Sequence, residues 1–484
     1  MAIMSVKSSS VLSSSSKPAL SPEPVLSKKE QVLDDDVELA TPQNNVNIKR
    51  LLRRIDWRVV PFLCLIQMAS YLDRVNIGQA KLYGLEKDLH LEPHQFSWSL
   101  SVFFISYLLF EVPSNLMLKK ASPPRWMALI MFCWGMTTIC MAAVKGFYGL
   151  MICRLFLGAF EAGVFPGIVL YLSFWYPRGD QGSRISFVTC ASSLASAISG
   201  PISYLLHSMS KVGGLSSWQW IFICEGIPTV LIAIMTGLLL PASPQKAQWL
   251  SHEEQTLLKE NSTHSSQEHS FDSAQFIGCF TDYKTYLYIV CYFGLQTPVI
   301  SIAMLLPTII RDMGFENTTA MLLTAPPYVA AMFFNLLWAW HSDYTMDRCF
   351  HTMAGAFTTL FGFILMLATE ALTPRYIGAG LVVVGVNASL APALSWCNNN
   401  LVGATKSATS IALVVMFGNL GGVFAGHFYR PTEAPLYIQS HLINVACLAM
   451  SMLSAFTLRC LLARENRALD TSPNPSDPTF RYVL

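Results

Sequence analysis

The sequence predicts an all-α membrane protein of twelve transmembrane helices arranged as two six-helix bundles. Three observations carry this expectation. Of 484 residues, 52% are hydrophobic and only 13% are charged, and the mean hydropathy is +0.42. A soluble domain carries about 25% charged residues, so the deficit points to the bilayer as solvent. Apolar runs long enough to cross it, about 20 residues each, recur along the chain and divide evenly around a polar stretch at 241–282.

Taken in order, residues 1–48 are rich in Ser, Pro and charge and lack the apolar centre of a signal peptide, which predicts a disordered tail. The first bundle, 49–240, holds spans 1 to 6 at 57–80, 97–118, 125–144, 148–175, 185–207 and 218–240. The stretch 241–282 is a hydrophilic loop. The second bundle, 283–462, holds spans 7 to 12 at 283–310, 320–340, 351–372, 376–396, 405–428 and 436–460. Residues 463–484 form a second polar tail.

An even number of spans leaves both ends on one side of the membrane, and the positive-inside rule chooses the side. With the ends inside, the inner flanks gather Lys49, Arg50, Arg53, Arg54, Arg58, Lys119, Lys120, Arg125, Arg178 and Arg184. The outer loops hold Lys81, Lys87, Lys145, Lys211, Arg311, Arg375 and Arg430. Both tails and the central loop are therefore expected in the cytoplasm. Asn317-Thr318-Thr319 then lies outside as a glycosylation acceptor, whereas Asn261-Ser262-Thr263 faces the cytosol and Asn387-Ala388-Ser389 falls within a span.

A net charge of +2 excludes a nucleic-acid surface. The 12 cysteines, Cys64, Cys133, Cys153, Cys190, Cys224 and Cys447 among them, stand singly with no CxxC and no zinc spacing, and read as small hydrophobes in packed helices. No HExxH, phosphate-binding glycine loop or Ser/His/Asp set marks an enzyme, and no metal is expected.

Very few ionisable residues remain at membrane depth: Asp73, Arg74, Glu111, Arg154, Glu161 and Glu225, with Glu370 near a span end. A charge at the bilayer centre costs roughly 2.5–3.5 kcal/mol on insertion scales, so each faces a cavity or a partner. In span 4, RLFLGAFEAGVFPG places Arg154 and Glu161 two helical turns apart on one face, with Gly158, Ala162, Gly163 and Gly167 alongside and Pro166 weakening the helix after Glu161. Such a pair serves a polar ligand or merely bolts two helices together. For Glu111 and Glu225 a structural or gating ion pair is expected. In the second bundle the polar residues are amides, including Gln296, Asn387 and Asn399, which hold a ligand without needing charge compensation.

YLDRVNIGQA in span 1, YLLFEVPSNLMLKK in span 2, RLFLGAFEAGVFPG in span 4 and WQWIFICEGIPT in span 6 resemble the major facilitator superfamily, and within it the anion:cation symporters of the fungal allantoate and nicotinate permease type. LLPTIIRDMGF, LLTAPPYVAA, SDYTMDR, LSWCNNNLVGATKSA, FGNLGG and YRPTEAPLY in the second half agree, so the resemblance covers about residues 50–465. It implies the major facilitator fold and proton-linked transport of a small organic anion, driven by the proton gradient without a cofactor. Arg74 would meet the substrate carboxylate with Arg154, Gln296, Asn387 and Asn399 nearby, while Asp73 and Glu161 would take up protons. Glu111, Glu225, Asp343 and Arg348 would gate the pathway. The chain departs from the superfamily in lacking an acid in PSNLMLKK after span 2, and in carrying Tyr344 where a basic residue is usual.

The expected function is thus secondary active transport by alternating access, with a small molecule, protons and the lipid bilayer as partners, in a monomer of the plasma membrane. Export of a fungal secondary metabolite would use much the same residues. A nutrient sensor is a third reading, set against tails and a loop too short for a signalling domain.

Overall fold

In the computed structural model, the described residues are 42–176, 178–210, 212–261, 273–401, 404–471 and 481–484. The predicted tail up to residue 41, the Asn261-Ser262-Thr263 match beyond Asn261, and residues 472–480 of the predicted C-terminal tail lie outside them, as do the side chains of Lys49, Lys119, Lys120, Arg178 and Lys211. Contacts divide the chain into a unit ending at Arg53, whose described residues are helical, and a unit from Arg54 to Leu484.

Apolar runs become helices because a bilayer offers the backbone no other hydrogen-bonding partner. Among the described residues, eleven helices are long and apolar enough to cross a membrane. The remaining predicted span, span 3, is the helix Pro123–Met141, whose first turn carries Pro123, Pro124 and Arg125 and which falls outside that set of eleven. Leu109, Phe110, Leu116, Leu238, Phe333, Leu337 and Phe357 stand exposed on the outside of the helices, the surface expected where lipid replaces water.

Span 1 belongs to the helix Pro42–Leu82, so Asp73 and Arg74 sit inside a helix that continues for two turns beyond them. Span 4 is broken directly after Glu161, into Phe147–Glu161 and Val164–Trp175. Span 8 is likewise divided at Thr324, into Asn317–Leu323 and Ala325–Thr345. The linking residues Ala162, Gly163 and Thr324 keep right-handed helical dihedrals, so each span continues across a local loosening.

One end of the bundles, here the terminal face, gathers Asp56, paired with Arg184 at 2.9 Å, Asp282 with Lys406 at 2.5 Å, and Lys284 with Glu465 at 2.5 Å. The two bundles meet toward the opposite, far face. Ser101 Oγ on span 2 donates to the Val423 carbonyl on span 11 at 2.5 Å, and the ring of Phe104 lies against Gly422. Gly78 on span 1 packs on the Met304 backbone of span 7, and Gly200 on span 5 on the Met321 backbone of span 8.

The central stretch is more ordered than a hydrophilic loop. It contains the helices His252–Asn261 and Ser273–Thr281. Trp249 stacks on Trp175 at 5.8 Å between centroids, and the Arg58 guanidinium lies 4.6 Å over the Trp249 ring. Cys279 Sγ meets Ser410 Oγ at 3.0 Å, holding the second short helix on span 11.

The C-terminal region also departs from a plain tail. The last helix runs Ile438–Thr471, and residues 481–484 return to the terminal face of the second bundle. The Asn400 amide donates to the Val483 carbonyl at 2.8 Å and to the Tyr288 hydroxyl at 2.9 Å, and accepts the Val483 N–H at 2.7 Å. The Leu484 carbonyl oxygen takes the Arg348 N–H at 2.8 Å. Asn400→Ala would strand the Val483 N–H, while the Val483 carbonyl keeps the Trp396 indole and the Tyr288 hydroxyl keeps the Trp396 carbonyl; an unpaired buried group costs about 1–3 kcal/mol. The variant should unfold at a temperature several degrees lower in detergent; an unchanged melting temperature would refute this role of Asn400.

Candidate functional site

Span 1 carries the polar centre of the first bundle. Successive residues on a helix point about 100° apart, at 3.6 residues per turn, and Asp73 and Arg74 accordingly reach different neighbours. Arg74 turns to span 4, where Glu161 Oε1 accepts its Nε at 3.0 Å and its Nη2 at 2.5 Å, together with the Ser70 hydroxyl at 2.7 Å. The guanidinium also lies 5.6, 5.5 and 5.3 Å from the ring centroids of Tyr71, Phe103 and Tyr107. Its side chain is 17% exposed against 1% for Glu161, so the cation is the accessible member of the pair.

Asp73 turns into the bundle and is fully buried. Its Oδ2 accepts the Trp134 indole N–H of span 3 at 2.9 Å and the Thr229 hydroxyl of span 6 at 3.0 Å. Arg154 is also fully buried, 5.9 Å from the Phe103 ring centroid, and none of its three guanidinium nitrogens has a hydrogen-bond partner. The shared helix face of Arg154 and Glu161 therefore does not make them a hydrogen-bonded pair; Glu161 instead bonds across to span 1. Gly158 lets span 4 approach span 2 closely, since a Cβ there would strike the Phe103 carbonyl and the Ser106 hydroxyl.

The ion pairs expected of Glu111 and Glu225 are not formed among the described residues. Glu225 is buried with both carboxylate oxygens unpartnered, and Oε2 of Glu111 is buried and unpartnered as well. Among the described residues no basic side chain pairs with either; Glu225 lies by Asp73 and Asn76, and Glu111 within electrostatic reach of Arg74. Asp343 and Arg348 are brought together at 2.6 Å at the terminal face, with Arg348 also donating to the Ser342 hydroxyl at 3.0 Å. Beside them Asp347 caps the span 9 helix through the Phe350 N–H and pairs with Arg459 at 2.7 Å. Burial pushes its carboxyl up, but Arg459 and the Phe350 amide outweigh this and hold it below the usual carboxylate range.

The amides of the second bundle separate. Asn387 lines a narrow cleft with Tyr71, Ser193, Ser196 and Tyr328, so it faces the same cleft as the ring beside Arg74. Gln296 is half-buried with an unpartnered carbonyl oxygen. Asn399 is exposed at the terminal end of span 10, far from this cleft along its own helix; its buried neighbour Asn400 holds Val483. Asn317 is exposed, but its Nδ2, the atom a glycan would occupy, donates to the Leu82 carbonyl at 3.0 Å.

Sequence reasoning passed over Ser70, Tyr71 and Tyr107. Ser70 and Tyr71 precede Arg74 by four and three residues, the spacing of one helix face, and that signal was available. Tyr107 reaches Arg74 only through the packing of span 2.

Comparison with known proteins agrees with this architecture. The profile of the Major Facilitator Superfamily matches residues 63–426. A fungal protein described as MFS transporter prlL is 33% identical over 434 residues, 87% of each chain. A putative tartrate transporter of Agrobacterium vitis is 33% identical over 373 residues, 77% of this chain and 86% of its own. The high-affinity nicotinic acid transporter of Saccharomyces cerevisiae is 30% identical, covering 89% of this chain and 81% of its own. Among solved structures, a bacterial homologue of the human lysosomal transporter Spinster, inward-facing and occupied, superposes with a TM-score of 0.66 at 13% identity, over 86% of this chain and 98% of that one. The chain is a multi-pass membrane transporter and not an enzyme, and it belongs to the major facilitator superfamily.

Proposed function

We propose that this transporter carries a small carboxylate-bearing solute in symport with protons, as a member of the anion:cation symporter branch. The observation that carries the reading is the Arg74–Glu161 pair, a guanidinium held by an internal carboxylate yet still partly exposed. A substrate carboxylate and Glu161 compete for the same cation. While Glu161 is ionised it occupies Arg74; once it takes a proton, Arg74 is released to an external anion. Proton and anion therefore favour each other's binding, a coupling that is reciprocal by linkage. Asn387 and Gln296 receive the uncharged end of the solute across the cleft, and Asp73 is a further proton-binding group. Two of the relatives are named as tartrate and nicotinic acid transporters, which supports an anionic solute.

In this reading both chain ends are cytoplasmic, the contacts at the far face close the outer side, and the Asp343–Arg348 pair belongs to the inner gate of a plasma-membrane monomer. The test is uptake by purified protein in liposomes of labelled carboxylates, nicotinate and tartrate among them. Accumulation should rise with external acidity and collapse with an uncoupler. Arg74→Ala should weaken uptake by about thirtyfold or more, since losing one member of a buried charge pair costs about 2–5 kcal/mol. Undiminished affinity in that variant would remove Arg74 from the site.

A further inference from the structure

Glu225 is the buried acid that the Arg74–Glu161 pair leaves unexplained. It is 5% exposed, and neither carboxylate oxygen has a partner. Opposite it on span 1, Asn76 is fully buried with both ends of its amide unpartnered, and Asp73 keeps its Oδ1 free. Spans 1 and 6 run antiparallel. The Thr229–Asp73 hydrogen bond at 3.0 Å fixes their register. One turn toward the far face, residue 76 then opposes residue 225, and Glu225 interacts with both Asn76 and Asp73.

The two acids differ in support. Asp73 Oδ2 receives an indole N–H and a hydroxyl, donors that favour its carboxylate. Glu225 has only the Asn76 amide beside it, and an ionised carboxylate so poorly supported in such a site costs several kcal/mol. The charged group beside it is Asp73 on span 1; Asp73 and Arg154 in turn both feel Glu161 of span 4, which pairs with Arg74, and span 3 presents the uncharged Trp134 and Thr138. Glu225, Asp73 and Glu161 against Arg154 and Arg74 leave one excess negative charge, which a single proton cancels.

We propose that Glu225 is a second proton-holding residue of the transport cycle, exchanging its proton with Asp73 across the contact between spans 1 and 6. In the exchange the O–H bond on Glu225 breaks and one forms on Asp73 Oδ1, while the negative charge passes from Asp73 to Glu225. The proposal rests on the proton-symport reading and adds a proton site on the side of span 1 away from the Arg74–Glu161 pair. It also gives Asn76 a purpose: an amide offers a donor to the carboxylate form and an acceptor to the acid form.

Infrared spectroscopy of the purified, substrate-free protein at neutral pH tests it. The wild type should show the carbonyl band of a buried carboxylic acid. Glu225→Gln should lose that band, Glu161→Gln should keep it, and Glu225→Asp should shift it. If Glu225→Gln fails to fold, the shift in Glu225→Asp decides. In liposomes, Glu225→Gln should also move the external proton concentration for half-maximal uptake of labelled nicotinate or tartrate by about tenfold, one pH unit. A band unaltered by either Glu225 substitution overturns the proposal, as does its removal by sodium at constant pH, which would make the site a metal-cation site. Failure of the symport reading looks different: no acid-driven uptake at all by a wild type that retains the band.

Discussion

Glu161→Gln should abolish accumulation against a gradient while leaving exchange of solute across the membrane intact. The substitution keeps the shape that accepts Ser70 at 2.7 Å and Arg74 at 3.0 and 2.5 Å, but removes the charge. Arg74 is then held by a neutral amide in every state of the cycle. An external anion no longer displaces a carboxylate to reach it, so affinity at neutral pH should rise, by tenfold or more if the lost attraction is worth about 2 kcal/mol. The same change uncouples the proton, because nothing at this position titrates. Counterflow of labelled solute in liposomes reports exchange, and uptake under an imposed pH gradient reports coupling. Accumulation equal to wild type would place the coupling proton elsewhere and leave Glu161 a structural anchor for Arg74.

How far the sequence reached follows from what each signal encodes. Hydropathy counts apolar residues along one chain, so it found the spans, and the helix Pro42–Leu82 carries Asp73 and Arg74 within it as expected. It also found the weak point after Glu161, because glycine and proline act locally. Which side chains meet across helices is a property of packing. Spacing along span 4 associated Arg154 with Glu161, yet Glu161 bonds to Arg74 on another helix, and Arg154 stays without a hydrogen-bond partner. A rotation of one residue decided the fate of the asparagines: Asn399 is exposed and Asn400 is buried on Val483. The return of residues 481–484 to spans 7, 9 and 10 was illegible, since four residues are too few to carry a periodicity that marks their docking.

The closed far face makes the last prediction. Alternating access requires that the contacts seen here between spans 1 and 7 and between spans 5 and 8 form and break within each cycle. Both depend on glycine. A Cβ at Gly78 would strike the Met304 carbonyl, and one at Gly200 would strike the Met321 carbonyl and the Thr324 hydroxyl. These obstacles are mostly backbone, which cannot rotate away as a side chain can. Overpacking of this kind costs about 1–3 kcal/mol per site, and it penalises the closed far face alone. Gly78→Val combined with Gly200→Val should therefore shift the population toward a far face that stays open, with transport lost although the protein folds. Ser199, 1% exposed and bonded to Gln79 at 3.1 Å, is a suitable reporter. Introduced as Ser199→Cys, it should react with a membrane-impermeant maleimide slowly in the parent and more than tenfold faster with both valines present, after subtraction of the native cysteines. Equal labelling with transport preserved would mean that these glycines do not seal the pathway.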